Sequence, residues 1–320
     1  MNIITDGWGA RVAAYLAYRR SFGFELASDG KQLESFARFA DQRGAEHLTL
    51  GLAADWARDS SRASQIGWAR RIETLRGFAR FQMRTDTETV IPPGNLLGRG
   101  HRRLVPHVFT DQEIRTLLSE ASHLGPPGAL RPATCCTLFG LLATTGLRIS
   151  EALHLTDADV DLDGGVLDVR DSKFHQRRYV AMHATVTRQL LEYADLRNQT
   201  VCDRGSDRFF LREDGQPVTQ RQALYTLHAI CERRLGWKPR GDYRRHRLHD
   251  LRHTFIVRSA LRFYKEGEDI ERCLSALSIY VGHAKVIDTY WYFTGIPELM
   301  NIAGERFQCY AEGVRAWTPC

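Results

Sequence analysis

The stretch Thr144–Thr145–Gly146–Leu147–Arg148–Ile149–Ser150–Glu151–Ala152–Leu153 joins two segments of different character. The residues before it, 135–145, are apolar on nearly every side, which predicts a buried helix that Gly146 ends. Arg148 would then stand in the first turn of the next helix. Because backbone amides there favour anions, an arginine competes with the helix dipole unless an anion lies between them. The alternative is an ion pair with Glu151, three residues along the chain.

A second segment, Arg247–Leu248–His249–Asp250–Leu251–Arg252–His253, has helical periodicity. Its buried side carries Leu248, Leu251 and Phe255. His249 and Arg252 are i, i+3 neighbours on the other side, so one helix presents an imidazole and a guanidinium to the same point. That pair suits a phosphate, since arginine binds two of its oxygens and histidine hydrogen-bonds or moves a proton. The rival interpretation is a zinc-binding helix, because His249 and His253 stand at i, i+4 as in the HExxH zinc motif. In that motif, however, Glu follows the first histidine, whereas here the residue is Asp.

The segment VGHAKVIDTYWY, residues 281–292, contributes a histidine and two tyrosines. Gly282 is predicted to end one helix, and His283 to begin another turn. Taken alone, Tyr292 is more often a core or surface aromatic than a nucleophile.

A small antiparallel sheet is predicted between these segments. Its strands are expected at 160–162, 166–169 and 179–182, with a Gly-Gly turn between the first two. Asp171–Ser172–Lys173–Phe174 lies at the tip of the sheet. A lysine in a hairpin is normally solvated. In a chain with few lysines, Lys173 is also a candidate proton donor.

These elements, in this order, resemble the tyrosine recombinase (phage integrase) family. The matching strings are TTGLRISEAL at 144–153, SK at 172–173, HDLRH at 249–253 and VGHAKVIDTYWY at 281–292. The resemblance implies a fold that is mainly α with a small antiparallel β-sheet, in which an N-terminal helical core-binding domain precedes a mixed α/β catalytic domain. The implied activity is site-specific recombination of the mobile-element or phage type, through a covalent 3′-phosphotyrosine intermediate.

The resemblance also implies roles for the charged residues. Arg148 and Arg252 would clamp the scissile phosphate, and Lys173 would protonate the leaving 5′-oxygen. Glu151 matches an acidic position that orients the first arginine.

The histidines and a tyrosine complete the implied catalytic set. His249 would act as a general acid or base, and His283 would hydrogen-bond a phosphate oxygen. Tyr292 stands nine residues after His283, where the family keeps its nucleophile. Tyr290 is two residues earlier, about 200° round a helix, and is therefore expected to face away.

Length and periodicity indicate two domains. The chain has 320 residues, which at roughly 100–200 residues per domain suggests two. Helical patterns fill the first part, and a Pro- and Gly-rich stretch follows. We expect a helical DNA-clamping domain at 1–90, a basic linker at 91–106 and a catalytic domain at 107–320. The catalytic domain would begin with a Thr110–Glu113 capping box and end in a tail, 293–320.

The charge balance hints at a polyanionic partner. The net charge is +6, and the pI is near 9, as is common for proteins that bind nucleic acid. Only five of the 44 cationic residues are lysine, and the rest are arginine. A GC-rich genome, which favours arginine codons, would explain this excess, and so would phosphate binding, which suits the planar guanidinium. The candidate DNA-contacting residues are Arg70, Arg71, Arg76, Arg80, Arg102, Arg103, Arg244, Arg245 and Arg247.

Other features limit the class of protein. No apolar run reaches the ~20 residues that span a bilayer, and no secretory signal is visible, so we expect no membrane partner and a cytoplasmic, bacterial, nucleoid-associated chain. The seven cysteines form no CxxC pair and no acidic cluster suggests Mg²⁺, so neither a metal nor a cofactor is expected. The expected partners are a double-stranded DNA recombination site, three further copies in a tetramer on two duplexes, and accessory recombinases.

Three alternatives stay open. A type IB topoisomerase would use the same chemistry to nick and reseal one duplex. A non-catalytic DNA-binding protein would not need Tyr292 or Lys173. A zinc hydrolase would need stoichiometric metal. The tail after Tyr292 packs either on its own domain or on a neighbouring copy.

Overall fold

The computed structural model describes residues 7–59, 64–100, 104–170 and 177–293, together with 301, 304, 305 and 308. The chain divides between residues 103 and 104 into two compact units. Some of the predictions fall outside the described residues: Lys173, Arg102, Arg103 and nearly all of the tail after 293. The described residues contain no helix long and apolar enough to cross a membrane.

The N-terminal unit is helical, as its periodicity predicts. Its helices are α1 (Trp8–Arg20), α2 (Ala27–Gln42), α3 (Leu50–Arg58) and α4 (Gln65–Gln82). Phe36 lies in its core, with ring centroids 5.3 Å from Trp8, 5.3 Å from Trp56 and 6.1 Å from Phe78. These edge-to-face contacts pack three helices around one aromatic side chain.

The second unit is built on a buried central helix. Its helices are α5 (Asp111–Ser122), α6 (Leu130–Thr145), α7 (Ile149–His154), α8 (Ala184–Thr200), α9 (Gln220–His228), α10 (Leu248–Glu266), α11 (Ile270–Val281) and α12 (Ile287–Tyr290). The capping box is confirmed at the start of α5, where Thr110 and Glu113 each accept the other's backbone N–H. Helix α6 packs against α5, α8 and α10, which explains its apolar surface on nearly every side.

The predicted small antiparallel sheet is confirmed. Its strands are β1 (Val160–Asp161), β2 (Val166–Val169) and β3 (Arg178–Ala181), in the order β1-β2-β3. Leu167 pairs with Val180, and both are fully buried. The fold class is therefore the one that the sequence indicates, mainly helical with one three-stranded sheet in the second unit.

Candidate active site

Arg148 occupies the position before α7 rather than the first turn, so the sequence-based placement was wrong by one residue. Gly146 ends α6 with φ of +64°, and a side chain there would collide with the Phe255 ring, so only glycine fits this turn. The ion pair with Glu151 is present: Oε1 lies 2.7 Å from Nη1 of Arg148, and Oε2 accepts its backbone N–H at 2.9 Å. Nη2 donates to the carbonyl of Gly282 at 2.8 Å.

Glu151 has a second arginine partner that the sequence analysis missed. Arg178 on β3 donates to both carboxylate oxygens, at 3.0 and 2.8 Å, and its Nε donates to the Tyr280 carbonyl at 2.9 Å. Burial raises the pKa of Glu151, but hydrogen bonds and charge from Arg178, and then from Arg148, outweigh it and lower that pKa. The buried carboxylate is therefore ionised and orients both guanidinium groups.

Arg178 also explains why a glycine follows α11. Gly282 has φ of +70°, and a side chain there would stand 2.6 Å from Nη1 of Arg178. The close approach of these two residues lets the Gly282 carbonyl accept from Arg148. Gly282 thus ends α11, as predicted, and also makes room for the arginine pair.

Arg252 on α10 is almost completely buried, with 1% of its surface exposed. Nη1 donates to the Gly146 carbonyl and Nη2 to the Val281 carbonyl, both at 2.7 Å. Nε has no hydrogen-bond partner, and no carboxylate pairs with this guanidinium among the described residues. Burial is the main cause that lowers its pKa. A buried cation whose terminal nitrogens donate to carbonyls, and which lacks a carboxylate partner among the described residues, leaves its charge available to an anionic ligand.

His249 and His283 lie near these arginines, and both rings are neutral at physiological pH. Desolvation by the surrounding protein, and then the charge of Arg252, lowers the pKa of His249 to about 4. Desolvation, followed by Arg252 and Arg148, lowers the pKa of His283 to about 3. A neutral imidazole has one acceptor and one donor nitrogen, so both rings can exchange protons or hydrogen-bond an oxyanion.

Tyr292 lies inside this group of side chains. It is 8% exposed, and its ring centroid is 4.4 Å from that of His253 and 5.3 Å from that of His283. Burial lowers the pKa of Arg252, and charge and a side-chain hydrogen bond from Tyr292 oppose that fall. Tyr290, by contrast, is 45% exposed.

Thr289 was missed because it looks ordinary in the sequence, and His253 was considered only as a zinc ligand. Thr289 is fully buried, and its Oγ1 lies 2.8 Å from Nδ1 of His283. His253 is 1% exposed and packs against Tyr292. The zinc-helix interpretation pairs His253 with His249, yet the described residues contain no cluster of three or more side chains that could hold a metal.

The structure does not place the predicted arginines of α4 on one face. Arg71 lies over the Trp56 ring, 4.1 Å from its centroid, and donates to the Trp56 carbonyl at 2.8 Å. Nε of Arg70 donates to the Gly100 carbonyl at 3.0 Å. Arg80 is exposed. Because a helix turns about 100° per residue, Arg70, Arg71, Arg76 and Arg80 spread over more than half of its circumference.

The three arginines before α10 differ in how free their charge is. Arg245 forms a two-pronged ion pair with Glu232, at 2.6 and 2.5 Å. Arg247 pairs with Asp250 at 2.5 Å. Arg244 is exposed and forms no ion pair with any residue in the described ranges.

Comparison with known proteins gives the family. The sequence pattern of the phage integrase family matches residues 107–294, more than half of the chain. This chain belongs to the phage integrase family. The match contains every catalytic candidate, from Arg148 to Tyr292.

Individual relatives of this integrase-family chain agree. The chain is 38% identical to integrase/recombinase y4rB of Sinorhizobium fredii over 301 residues, with 93% of this chain and 96% of the relative covered. It is 28% identical to tyrosine recombinase XerC of Staphylococcus carnosus, over 70% and 69% of the two chains. Both names describe tyrosine recombinases or integrases, in agreement with the family match.

Solved structures share the integrase-family fold across both units. The XerH site-specific recombinase bound to its palindromic difH substrate has a TM-score of 0.66, with 15% identity, over 96% of this chain and 98% of that one. The Tn1549 transposon integrase in complex with transposon right end DNA has a TM-score of 0.66, with 17% identity, over 94% and 99%. At such low identity these likenesses establish the fold alone.

Proposed function

We propose that this chain is a site-specific DNA recombinase of a mobile element, which cuts and rejoins DNA through a covalent 3′-phosphotyrosine at Tyr292. The observation that carries the proposal is that Tyr292, buried against His283 with ring centroids 5.3 Å apart, interacts with Arg252, a buried cation that lacks a carboxylate partner among the described residues. A phosphodiester is the anion that such a pair serves, since the guanidinium binds its oxygens while the phenol attacks its phosphorus.

The proposed first step is a transesterification. The Tyr292 oxygen forms a bond to phosphorus, the bond from phosphorus to the 5′-oxygen breaks, and the products are a 3′-phosphotyrosine and a free 5′-hydroxyl. Arg148 and Arg252 stabilise the charge that develops on the non-bridging oxygens. Because the ester bond is kept, a 5′-hydroxyl from a second strand can reverse the step without an energy source.

The proton transfers are assigned to neutral and cationic side chains. A phenol is a weak nucleophile at neutral pH and needs a base close by. We assign that proton to His249, which is exposed and unprotonated in the free protein and becomes a stronger base when the phosphate anion binds beside it and raises its pKa. His283 donates a hydrogen bond to a phosphate oxygen, and Lys173 protonates the departing 5′-oxygen. No step in this scheme uses a metal or a cofactor.

The proposed assembly is a tetramer on two DNA duplexes, with two protomers active at a time. We assign residues 1–90 to a DNA-clamping domain, 91–106 to a basic linker and 107–320 to the catalytic domain, whose tail docks on its own domain or on a neighbour. DNA binding is supported by proteins of similar fold whose structures were solved on DNA, among them a λ integrase dimer bound to a core site. We further propose accessory recombinases as partners and action in the cytoplasm, at the nucleoid.

A nicked suicide substrate tests the proposal. Duplexes tiled through the DNA that flanks the reading frame, each with a nick beside the candidate scissile phosphate, trap the covalent adduct because the cut fragment diffuses away. We expect the unaltered protein to form an adduct on the duplex that carries its site. Tyr292→Phe is expected to bind that duplex with unchanged affinity and form no adduct, while the matched control Tyr290→Phe keeps both. An adduct with Tyr292→Phe, or none with the unaltered protein on any duplex, contradicts the proposal.

A further inference from the structure

Among the described residues, one side-chain hydrogen bond holds the ring of His283. Its Nδ1 lies 2.8 Å from Oγ1 of Thr289, which is completely buried on α12. A neutral histidine carries its one ring proton on Nδ1 or on Nε2. The direction of this hydrogen bond therefore decides which nitrogen the ring offers to the site as a donor.

The surroundings of Thr289 determine that direction. In the part of the chain that the structure describes, the Thr289 hydroxyl bonds to His283 and to no other group. If Nδ1 carried the proton, the hydroxyl would accept it, and its own hydrogen would be buried without an acceptor, which folded proteins strongly disfavour. If the hydroxyl donates to Nδ1 instead, both groups are satisfied, and the ring proton lies on Nε2.

Because the His283 ring is neutral, its tautomer decides which of the two nitrogens can donate a hydrogen bond. Burial and two nearby arginines lower the pKa of His283 to about 3, so the ring is neutral at physiological pH. An imidazolium would donate from both nitrogens, whereas a neutral ring has a single donor. The same ring lies against Tyr292, with centroids 5.3 Å apart, so this donor is next to the proposed nucleophile.

We propose that Thr289 is a positioning residue that holds His283 in the tautomer with its proton on Nε2, ready to donate to a non-bridging oxygen of the scissile phosphate. Thr289 acts only through His283. The identity of the acceptor rests on the proposed function, whereas the tautomer is a property of the protein without DNA.

Nitrogen NMR of the free protein tests the tautomer directly. Long-range ¹⁵N–¹H correlation spectra at pH 7, with histidines labelled and His283 assigned by comparison with His283→Gln, show which ring nitrogen carries the proton. We expect Nε2–H in the unaltered protein and in Thr289→Ser, which keeps the hydroxyl. Thr289→Val has nearly the same shape but no hydroxyl, and we expect its proton to be shared between the two nitrogens. Nδ1–H in the unaltered protein, or an unchanged spectrum in Thr289→Val, overturns the proposal.

Single-turnover cleavage gives the second readout. On the suicide duplex that the unaltered protein cleaves, Thr289→Val is expected to slow adduct formation about tenfold, less than the 10²–10³-fold that loss of a whole oxyanion donor costs. DNA affinity should not change, and Thr289→Ser should restore the rate to within about twofold, because a merely structural role would weaken binding as well. An equal rate in Thr289→Val also counts against the proposal.

The proposed function and the proposed role of Thr289 can fail separately. If the unaltered protein forms no adduct, the proposed function is wrong, and the NMR spectra still decide the tautomer. If the adduct forms while the spectra show Nδ1–H, the recombinase assignment stands, and the role of Thr289 is wrong.

Discussion

Glu151 and Arg178 form a buried ion pair behind the proposed phosphate site. The two side chains are 1% and 9% exposed. Removal of one partner from a buried pair leaves the other charge without compensation, which typically costs about 3–5 kcal/mol. Arg178 therefore contributes to stability as well as to the geometry of Arg148, with which it shares the carboxylate.

We predict that Arg178→Met lowers the free energy of unfolding by about 3 kcal/mol, measured by urea denaturation. The matched control is Arg188→Met, because Arg188 pairs with Glu192 at 3.9 Å on the surface, where both side chains are exposed and such pairs contribute about 0–1 kcal/mol. The double variant Arg178→Met with Glu151→Leu should be less stable still, because Arg148 then also loses its carboxylate partner. Equal losses for Arg178→Met and Arg188→Met would contradict the prediction.

The sequence reveals Arg148, Glu151, Arg252, His283 and Tyr292 because each stands in a short string that resembles a family motif. Arg178 lacks such a string, and in an arginine-rich chain its residue type carries no signal. The predicted third strand, 179–182, excludes it, whereas in the structure it shares a strand face with buried Val180, where a cation requires a buried partner. The partner could not be named, since Glu151 lies 27 residues earlier.

At the scale of elements, the basic window before and along α10 shows why local charge is a poor guide to surface charge. Residues 233–262 contain ten cations and two carboxylates. Carboxylates inside and outside the window neutralise most of these cations in pairs: Arg234 with Glu120, Arg240 with Glu113, Arg245 with Glu232, Arg247 with Asp250, Arg258 with Asp111 and Arg262 with Glu266. The helix was predictable from periodicity, but these pairs depend on the tertiary fold.

The segment that begins the second unit is tied to the segment before α10 through two buried histidines. His107 and His246 are 1% and 0% exposed, and their ring centroids are 4.6 Å apart. Burial, then His246 and Arg240, lowers the pKa of His107 to about 4 despite the opposing charge of Glu113. Burial likewise lowers the pKa of His246. The unfolded chain therefore takes up these protons at a higher pH than the folded one.

The pH dependence of stability follows from this difference. A histidine with a depressed folded pKa contributes stability that is present above the unfolded value of about 6.5 and is lost as the pH falls towards the folded value. For His107, whose pKa falls to about 4, the loss between pH 6.5 and 4 amounts to about 3 kcal/mol. His107→Gln keeps an acceptor for the Arg240 amide but cannot titrate, so its unfolding free energy should vary less over that range. An unchanged pH profile in urea denaturation would contradict this origin.

At the scale of the whole molecule, the net charge of +6 predicts DNA binding that weakens steeply with salt, because each neutralised phosphate releases counterions. Among the residues before α10, Arg244 is exposed and forms no ion pair with a described residue, whereas Arg245 is held by Glu232. We predict that Arg244→Ala reduces the slope of log affinity against log salt by about 1. Arg245→Ala should change it less, since its charge is already neutralised.

Fluorescence anisotropy of the labelled duplex between about 50 and 200 mM salt measures these slopes. A flat salt response of the unaltered protein would count against a DNA partner. A larger effect of Arg245→Ala than of Arg244→Ala would show that Glu232 releases its arginine on DNA.

The organisation of the whole chain was largely predictable. The loss of helical periodicity after Arg84 and the Pro- and Gly-rich stretch that follows it placed a boundary near the division at residues 103 and 104. The convergence of Arg148, Arg252 and Tyr292 was predictable only through the resemblance, because more than 100 residues separate the first from the others and periodicity says nothing about such distances.

The identity of the tyrosine that joins DNA tests the central claim most directly. Trypsin cleaves after Lys285 and Arg306, so the peptide 286–306 from the trapped adduct carries both Tyr290 and Tyr292. Fragmentation of this peptide by mass spectrometry locates the residual nucleotide on one of them. The account predicts that the phosphodiester remnant is on Tyr292, and a remnant on Tyr290 or on any other residue would contradict it.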